Sequence, residues 1–258
     1  MNPSEFLIVT ERGGEPVSQA QLDRFHQRYL WAGSLSAGKD VLELACGTGP
    51  GLGYLQSVAR SLVAGDVDNT IVAMAQAHYG KRVDLRQFDA CATGLPAASF
   101  DVVILFEAIY YFADVGQLLA EVHRLLRPGG SFVLATANKD LYDFNPSPFS
   151  HAYYNPPELS ALLTTHGFLG TFFGGSAVPP PGWKTRLVRA LKRFAVTYKL
   201  IPGSMAGKRF LKRLVFGRLV RMPVELHAAG LHLDPPVPIP AQQSDTRHLV
   251  LYCLAKKL

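Results

Sequence analysis

Apolar and polar positions along this chain of 258 residues fall into two alternating rhythms. The first is a short, almost unbroken apolar run. It recurs as VLELA (41–45), RSLVAGD (60–66), RVDLRQF (82–88), DVVILFE (101–107) and SFVLATA (131–137), and once more inside DTRHLVLYCLAKKL (245–258). Runs this short and this rich in Val, Leu and Phe suit strands buried on both faces. The second rhythm is a longer mixed segment with apolar residues three and four apart, which predicts helices at 18–33, 50–59, 69–80 and 115–126. In the last of these, Val115, Leu118, Leu119, Val122, Leu125 and Leu126 form one stripe. Gly80 stops the third helix, and the Pro and paired Gly of RPGG (127–130) stop the fourth.

Strands alternating with helices predict a doubly wound α/β sheet of mostly parallel strands, built as one domain over 1–258. Two proline-rich stretches, AVPPPGW (177–183) and DPPVPIP (234–240), mark the ends of a segment, 177–245, that reads as an insertion before the last strand. Its charge sets it apart. Between Glu158 and Glu225 there is no acidic residue and there are twelve Lys or Arg, so the net +6 hides 14 basic against 20 acidic residues elsewhere. Leu187, Val188, Leu191, Phe194, Ala195 and Tyr198 line one face of a helix over 184–200; Phe210, Leu211, Leu214 and Val215 start a second over 205–221. Two basic amphipathic helices suit three roles: a lid that meets a phosphate or carboxylate, a contact with an anionic membrane surface, or a plain cap on the sheet. Nucleic acid is disfavoured, because no nucleic-acid-binding module accompanies them.

Composition narrows the class further. The chain is 48% apolar and 18% charged, as expected of a globular protein with a full core. No apolar run approaches the roughly 18 residues of a membrane span. MNPSEFLIVTERGGE has neither a basic start nor an apolar core of a secretion signal. Cys46, Cys91 and Cys253 are scattered and odd in number, which predicts free thiols in a cytoplasmic protein.

The stretch VLELACGTGPG (41–51) carries the chemistry. A strand that breaks into a glycine-rich turn before a helix lets the backbone approach a ligand closely, at the carboxyl end of the sheet. The dinucleotide pattern G-x-G-x-x-G fails here, because Leu52 or Tyr54 stands where its third glycine belongs. A nicotinamide enzyme is therefore the weaker reading. The spacing is G-x-G-x-G, with a carboxylate, Glu43, inside the strand.

This motif resembles the first motif of class I S-adenosylmethionine-dependent methyltransferases, and further motifs follow in the right order. Asp66 ends the second strand; Asp89 stands in QFDACATGLP; SFDVVILFEAIYYF resembles the fourth strand and its loop; LRPGGSFVLA resembles the turn into the fifth. The resemblance covers about 20–170 and the last strand, and implies a Rossmann-like, seven-stranded sheet with S-adenosyl-L-methionine as cofactor. It also implies site roles. Glu43 and Tyr29 meet the methionine end; Ala45, Cys46, Gly47 and Gly49 form the turn against it; Asp66, with Val67 after it, takes the ribose hydroxyls; Asp89 and Ala90 meet the adenine; Phe106 ends the fourth strand beside them. Asp68 competes with Asp66 for the ribose.

On the acceptor side, relatives acting on quinol-like hydroxyls often carry E-x-x-E-H after the fourth strand. Here Glu107, Tyr110 and Tyr111 stand there, two ligand positions are lost, and no metal site is expected. Tyr110 and Tyr111 are candidates to line the acceptor pocket. After the fifth strand, Asn138, Asp140, Tyr142, His151 and Tyr154 are candidate acceptor contacts, with His151, then Asp140, as general base. YNPPELS (154–160) looks like a base-amine methylation motif but sits before a helix, where Asn155 as N-cap and Pro156 explain it. HQRYLWAG, NPSPFSHAYY and the basic segment are loosely similar to bacterial glycan-modifying and small-molecule O-methyltransferases. The expected function is metal-independent O-methylation of a small-molecule, sugar or lipid-linked acceptor. N-methylation of a small amine and a non-catalytic adenosyl-ligand-binding module remain the alternatives.

Overall fold

The computed structural model describes residues 10–142, 144–178, 219–227 and 233–258. The chain opens with a short strand β1 (Pro16–Ser18) and helix α1 (Gln19–Ser36), whose N-terminus is capped by the Ser18 hydroxyl. Then β2 (Asp40–Leu44), α2 (Leu52–Val58), β3 (Ser61–Asp66), α3 (Asn69–Tyr79), β4 (Asp84–Gln87), β5 (Phe100–Phe106), a 3₁₀ turn (Ile109–Tyr111), α4 (Val115–Leu125) and β6 (Leu126–Ala137) follow. After α5 (Pro156–Thr165) come β7 (Phe168–Ala177), β8 (Leu219–Arg221), β9 (Val237–Ile239) and β10 (His248–Lys257).

The main sheet has the order β4-β3-β2-β5-β6-β10-β7-β9. Strands β4 to β6 run parallel, and β10, β7 and β9 add antiparallel pairs. The expected seven strands are thus eight. The addition is β9, three residues on the sheet edge that fall within the segment read as insertion; its Pro238 is tolerable because an edge strand has one unpaired side. Strand β6 also starts earlier than predicted. RPGG lies inside it as a bulge: Gly129 has φ 72°, and the ladder with β5 passes from Phe100–Leu126 directly to Val102–Ser131.

Side chains alternate across the strands and give the sheet two cores. Leu42, Leu44, Val103, Leu105, Phe132 and Leu134 pack against α4 and α5. Val41, Val102, Ile104, Val133 and Tyr252 pack against α1, α2 and α3. Glu43 alternates onto this second face, beneath α1, which explains how a carboxylate sits inside an apolar strand. The two predicted basic helices, 184–200 and 205–221, lie outside the described residues except for 219–221. Those three residues form β8, antiparallel to β1, and not the end of a helix.

Candidate functional site

Strands β2 and β5 are neighbours whose helices leave on opposite faces, so a crevice opens at their carboxyl ends. A cavity of about 570 Å³ fills it. Both strands end in a residue forced into the left-handed region, Ala45 (φ 52°) and Glu107 (φ 50°). Such backbone is costly for a residue with a Cβ and persists where the surroundings demand it. At position 45 glycine would adopt this backbone without that cost.

One wall of the cavity combines the glycine turn with the ends of β3 and β4. Glu43, Ala45, Cys46, Gly47, Asp66, Val67, Asp89 and Ala90, all singled out from the sequence, line it. Gly47 and Gly49 both have positive φ, but Gly49 stands behind the wall; its carbonyl accepts the Tyr79 hydroxyl at 2.7 Å. The N–H groups of this turn are spent within the protein. Cys46 donates to the Gly65 carbonyl, Gly49 to the Cys46 carbonyl, and Gly47 to Asp66 Oδ2 at 3.0 Å. A pyrophosphate would find few donors here; a ligand without phosphate loses nothing.

Asp66 is buried, and its carboxyl pKa is raised, chiefly by burial, although backbone donors at Asp68 and Gly47 pull it back. Each of its oxygens accepts one N–H and keeps a further lone pair, the complement of a diol. Asp68 is otherwise engaged. Its carboxylate caps α3 by accepting from Thr70 and Ile71 N–H. Asp89 accepts from Cys91 N–H at 2.8 Å with one oxygen, and the exposed Val67 offers an apolar face nearby.

Beneath α1, Tyr29 donates to Glu43 Oε1 at 2.6 Å, while Oε2 is buried with no partner among the described residues. Burial pushes the Glu43 carboxyl up to about 7, against the Tyr29 hydrogen bond and the Arg28 charge that pull it down. The Tyr29 hydroxyl, expected to meet a ligand carboxylate, is committed to Glu43 instead. Gly51 makes that contact fit, since a Cβ there would come within 2.0 Å of the Tyr29 ring.

The opposite wall is aromatic: Phe106, Tyr110, Tyr111 and Phe112, with Phe25 from α1. Tyr110 and Tyr111, the two tyrosines singled out from the sequence, are on this wall, and burial raises the pKa of both phenols. None of the five candidates after the fifth strand lines the cavity. His151 is exposed, and its backbone N–H donates to the Tyr110 carbonyl at 2.7 Å. Asp140 is half-buried beyond the wall, and Asn138 spends its amide on the Asp245 and His248 carbonyls. The loop after β6 carries these side chains past the site and not into it.

Three charged residues on the cavity were not singled out from the sequence: Glu11, Arg24 and Arg28. Arg28 is buried and salt-bridged to Glu11 (2.5 Å) and Glu107 (3.3 Å). Burial disfavours its charge, but the two carboxylates outweigh that and raise its pKa. Its Nε is buried with no partner among the described residues. The signal was present: Gln21, Arg24, Phe25, Arg28 and Tyr29 lie at i, i+3, i+4, i+7 and i+8 of α1, one face that mixes cavity and core.

The sequence profile of the methyltransferase domain family matches residues 42–134, from β2 to the middle of β6. With the strand order and the crevice, this makes the matched region, 42–134, a class I S-adenosylmethionine-dependent methyltransferase domain, a family whose cofactor is S-adenosylmethionine. Among proteins similar to the chain, a probable S-adenosylmethionine-dependent methyltransferase of Mycolicibacterium smegmatis is 40% identical over 147 residues, 54% of this chain and 57% of that one. A ubiquinone biosynthesis O-methyltransferase of Pseudomonas aeruginosa is 32% identical over 139 residues, 51% and 57% of the two chains. The chain thus spans about half the length of the curated relatives it matches. The crystal structure of the YcgJ protein from Bacillus subtilis shares the fold, with a TM-score of 0.58, 16% identity, and coverage of 90% of this chain and 98% of that one.

The residues present fit the cofactor. A buried acceptor without a partner (Glu43 Oε2) and a buried donor without one (Arg28 Nε) suit the ammonium and carboxylate of an α-amino acid. A diol-sized pair of lone pairs on Asp66 and the apolar surface at Val67 suit a nucleoside.

Proposed function

We propose that this chain transfers the methyl group of S-adenosylmethionine to a hydroxyl of a small-molecule, sugar or lipid-linked acceptor, without a metal. The observation that carries this reading is the two-sided cavity, polar with buried carboxylates on one wall and aromatic on the other. Bound, the cofactor supplies an electrophilic methyl on a sulfonium sulfur. The chain's own part is to hold and to exclude water. In this reading Glu43 takes the ammonium, and Arg28, assisted by Arg24, takes the carboxylate. Asp66 accepts from the ribose hydroxyls, Asp89 from the adenine amino group, and Ala45, Cys46 and Gly47 bring the backbone alongside. Val67, Ala90 and Phe106 supply apolar contact. Tyr110 and Tyr111 line the acceptor half. The name of the Pseudomonas relative supports oxygen as the acceptor atom.

The test is transfer of labelled methyl from S-adenosylmethionine to parallel panels of hydroxylated aromatics, sugars and small amines. Label in the hydroxyl panels and not in the amines is expected. Label only in amines would replace oxygen by nitrogen; tight cofactor binding with no transfer would leave a binding module. The charge segregation over 184–221 supports peripheral contact with anionic membrane as part of the same function.

A further inference from the structure

We propose that Glu107 is the general base that takes the proton from an aromatic hydroxyl acceptor, held in place for that role by Arg28 and Tyr110. This rests on the methyl-transfer reading above and adds to it the base and the acceptor class.

Four observations converge. First, place: Glu107 follows Phe106 at the end of β5 and lines the cavity, at the junction of the amino-acid-like subsite and the aromatic wall. Second, backbone: its N–H still donates to the Ala135 carbonyl at 2.8 Å, so the strand pairing is intact up to this residue, and the left-handed φ of 50° turns the chain there. A non-glycine residue in that region is strained, and such strain marks functional positions more often than neutral ones.

Third, the carboxylate is held from two sides and left room to accept. Arg28 Nη1 stands 3.3 Å from Oε1, and the Tyr110 hydroxyl donates to Oε2 at 3.2 Å. Both contacts are long, and each oxygen keeps a lone pair for another donor. Tyr110 is itself a poor base, since burial, then Glu107, raises its phenol pKa.

Fourth, the competitors are placed elsewhere. His151 and Asp140 lie off the cavity; Glu43 holds Tyr29 with one oxygen and is given to the cofactor's ammonium with the other; Asp66 and Asp89 belong to the nucleoside wall; Glu11 is tied to Arg28 at 2.5 Å. Phe106, Tyr111 and Phe112 line the cavity together with Glu107. Among the described residues this aromatic wall has the polar groups to meet one hydroxyl on an apolar ring, and too few to meet the many hydroxyls of a sugar.

The step balances. The acceptor O–H gives its proton to the Glu107 carboxylate and its oxygen lone pair to the methyl carbon. The carbon–sulfur bond breaks with its electron pair left on sulfur, so the sulfonium becomes a neutral thioether. The proton on Glu107 then leaves to solvent.

The test uses 4-nitrocatechol, whose absorbance separates phenol from phenolate. It is added to the full chain loaded with S-adenosylhomocysteine, below the pH at which the free probe ionises. The unmodified protein is expected to bind the probe and shift its spectrum toward phenolate. Glu107→Gln should retain S-adenosylhomocysteine binding by calorimetry and lose the shift. With S-adenosylmethionine it should methylate the probe about 10²–10⁴-fold more slowly, the usual share of a general base. Glu107→Asp, a carboxylate tolerant of left-handed backbone, should keep part of both and guards against a folding artefact. The same shift in Glu107→Gln, or no binding of the probe by the unmodified protein, overturns the proposal. Failure of the unmodified protein to bind S-adenosylhomocysteine would instead fell the functional reading, and this inference with it.

Discussion

Glu43 is a carboxylic acid whose pKa lies near 7 in the free protein, so its charge state and ligand binding are linked. An ammonium ligand needs the ionised form. Affinity for S-adenosylmethionine should therefore rise about tenfold per pH unit below 7 and level off above it. Calorimetry across pH checks this, and Glu43→Gln should weaken binding and flatten the profile. The same raised pKa makes the free protein lose stability as pH climbs from the unfolded carboxyl value to about 7, because over that range the folded state holds a proton that the unfolded state has released. Denaturant midpoints at acid and alkaline pH, with and without ligand, read that directly. Ala45 offers a second residue-level check. Ala45→Gly removes a left-handed Cβ and should leave stability unchanged or raise it by about 1 kcal/mol, whereas Ala45→Val should lower it. Asp66 and Asp89 were singled out through the resemblance of the motifs around them to those of methyltransferases, and not through periodicity. Arg28 was not, because its function depends on a burial and two partners, Glu11 and Glu107, far away in sequence.

At the scale of elements, the parallel strands and their helices were legible from apolar runs and stop signals, and the start of α5 from Asn155 as N-cap and Pro156 after it, to which the structure adds a capping box with Glu158. Strand β7 was passed over, since FLGTFFGGSA mixes glycine and phenylalanine without alternation and owes its conformation to the long ladder with β10. The loop after β6 misled for a different reason: sequence places a residue after a strand, but not on the cavity. Residues 219–221 were read as the end of the second basic helix and 222–227 only as part of the insertion, yet 219–227 clasp the half of the molecule that carries the glycine turn. Strand β8 pairs with β1, Leu226 N–H donates to the Pro50 carbonyl, and Glu225 binds Arg82 at 2.8 Å and His78 at 2.8 Å. Glu225→Ala should release this clasp, cost roughly 1 kcal/mol because the pairs are partly exposed, and speed hydrogen exchange over 219–227. Gly51→Ala belongs to the same layer. Its Cβ would strike the Tyr29 ring, so it should displace Tyr29 from Glu43 and weaken cofactor binding with little change in overall fold content, which circular dichroism and calorimetry together resolve.

Across the whole molecule, charge and site are segregated: the acidic body carries the cavity, and the basic residues gather in 184–221. If that segment meets anionic membrane, cosedimentation with anionic vesicles should be salt-sensitive and should vanish when Arg189, Lys192, Arg193, Lys212 and Arg213 are changed to Glu. Neutral vesicles should bind in neither case. The central claim concerns the crevice between β2 and β5, and one titration tests it most directly. S-adenosylhomocysteine is titrated calorimetrically into the full chain and into Asp66→Asn, which keeps the shape and one acceptor of the side chain while removing its charge. The account predicts one-site binding to the unmodified protein, at least tenfold weaker in Asp66→Asn, with no binding of NAD to either. Equal affinity in the two proteins, or heat from NAD and none from S-adenosylhomocysteine, would contradict it.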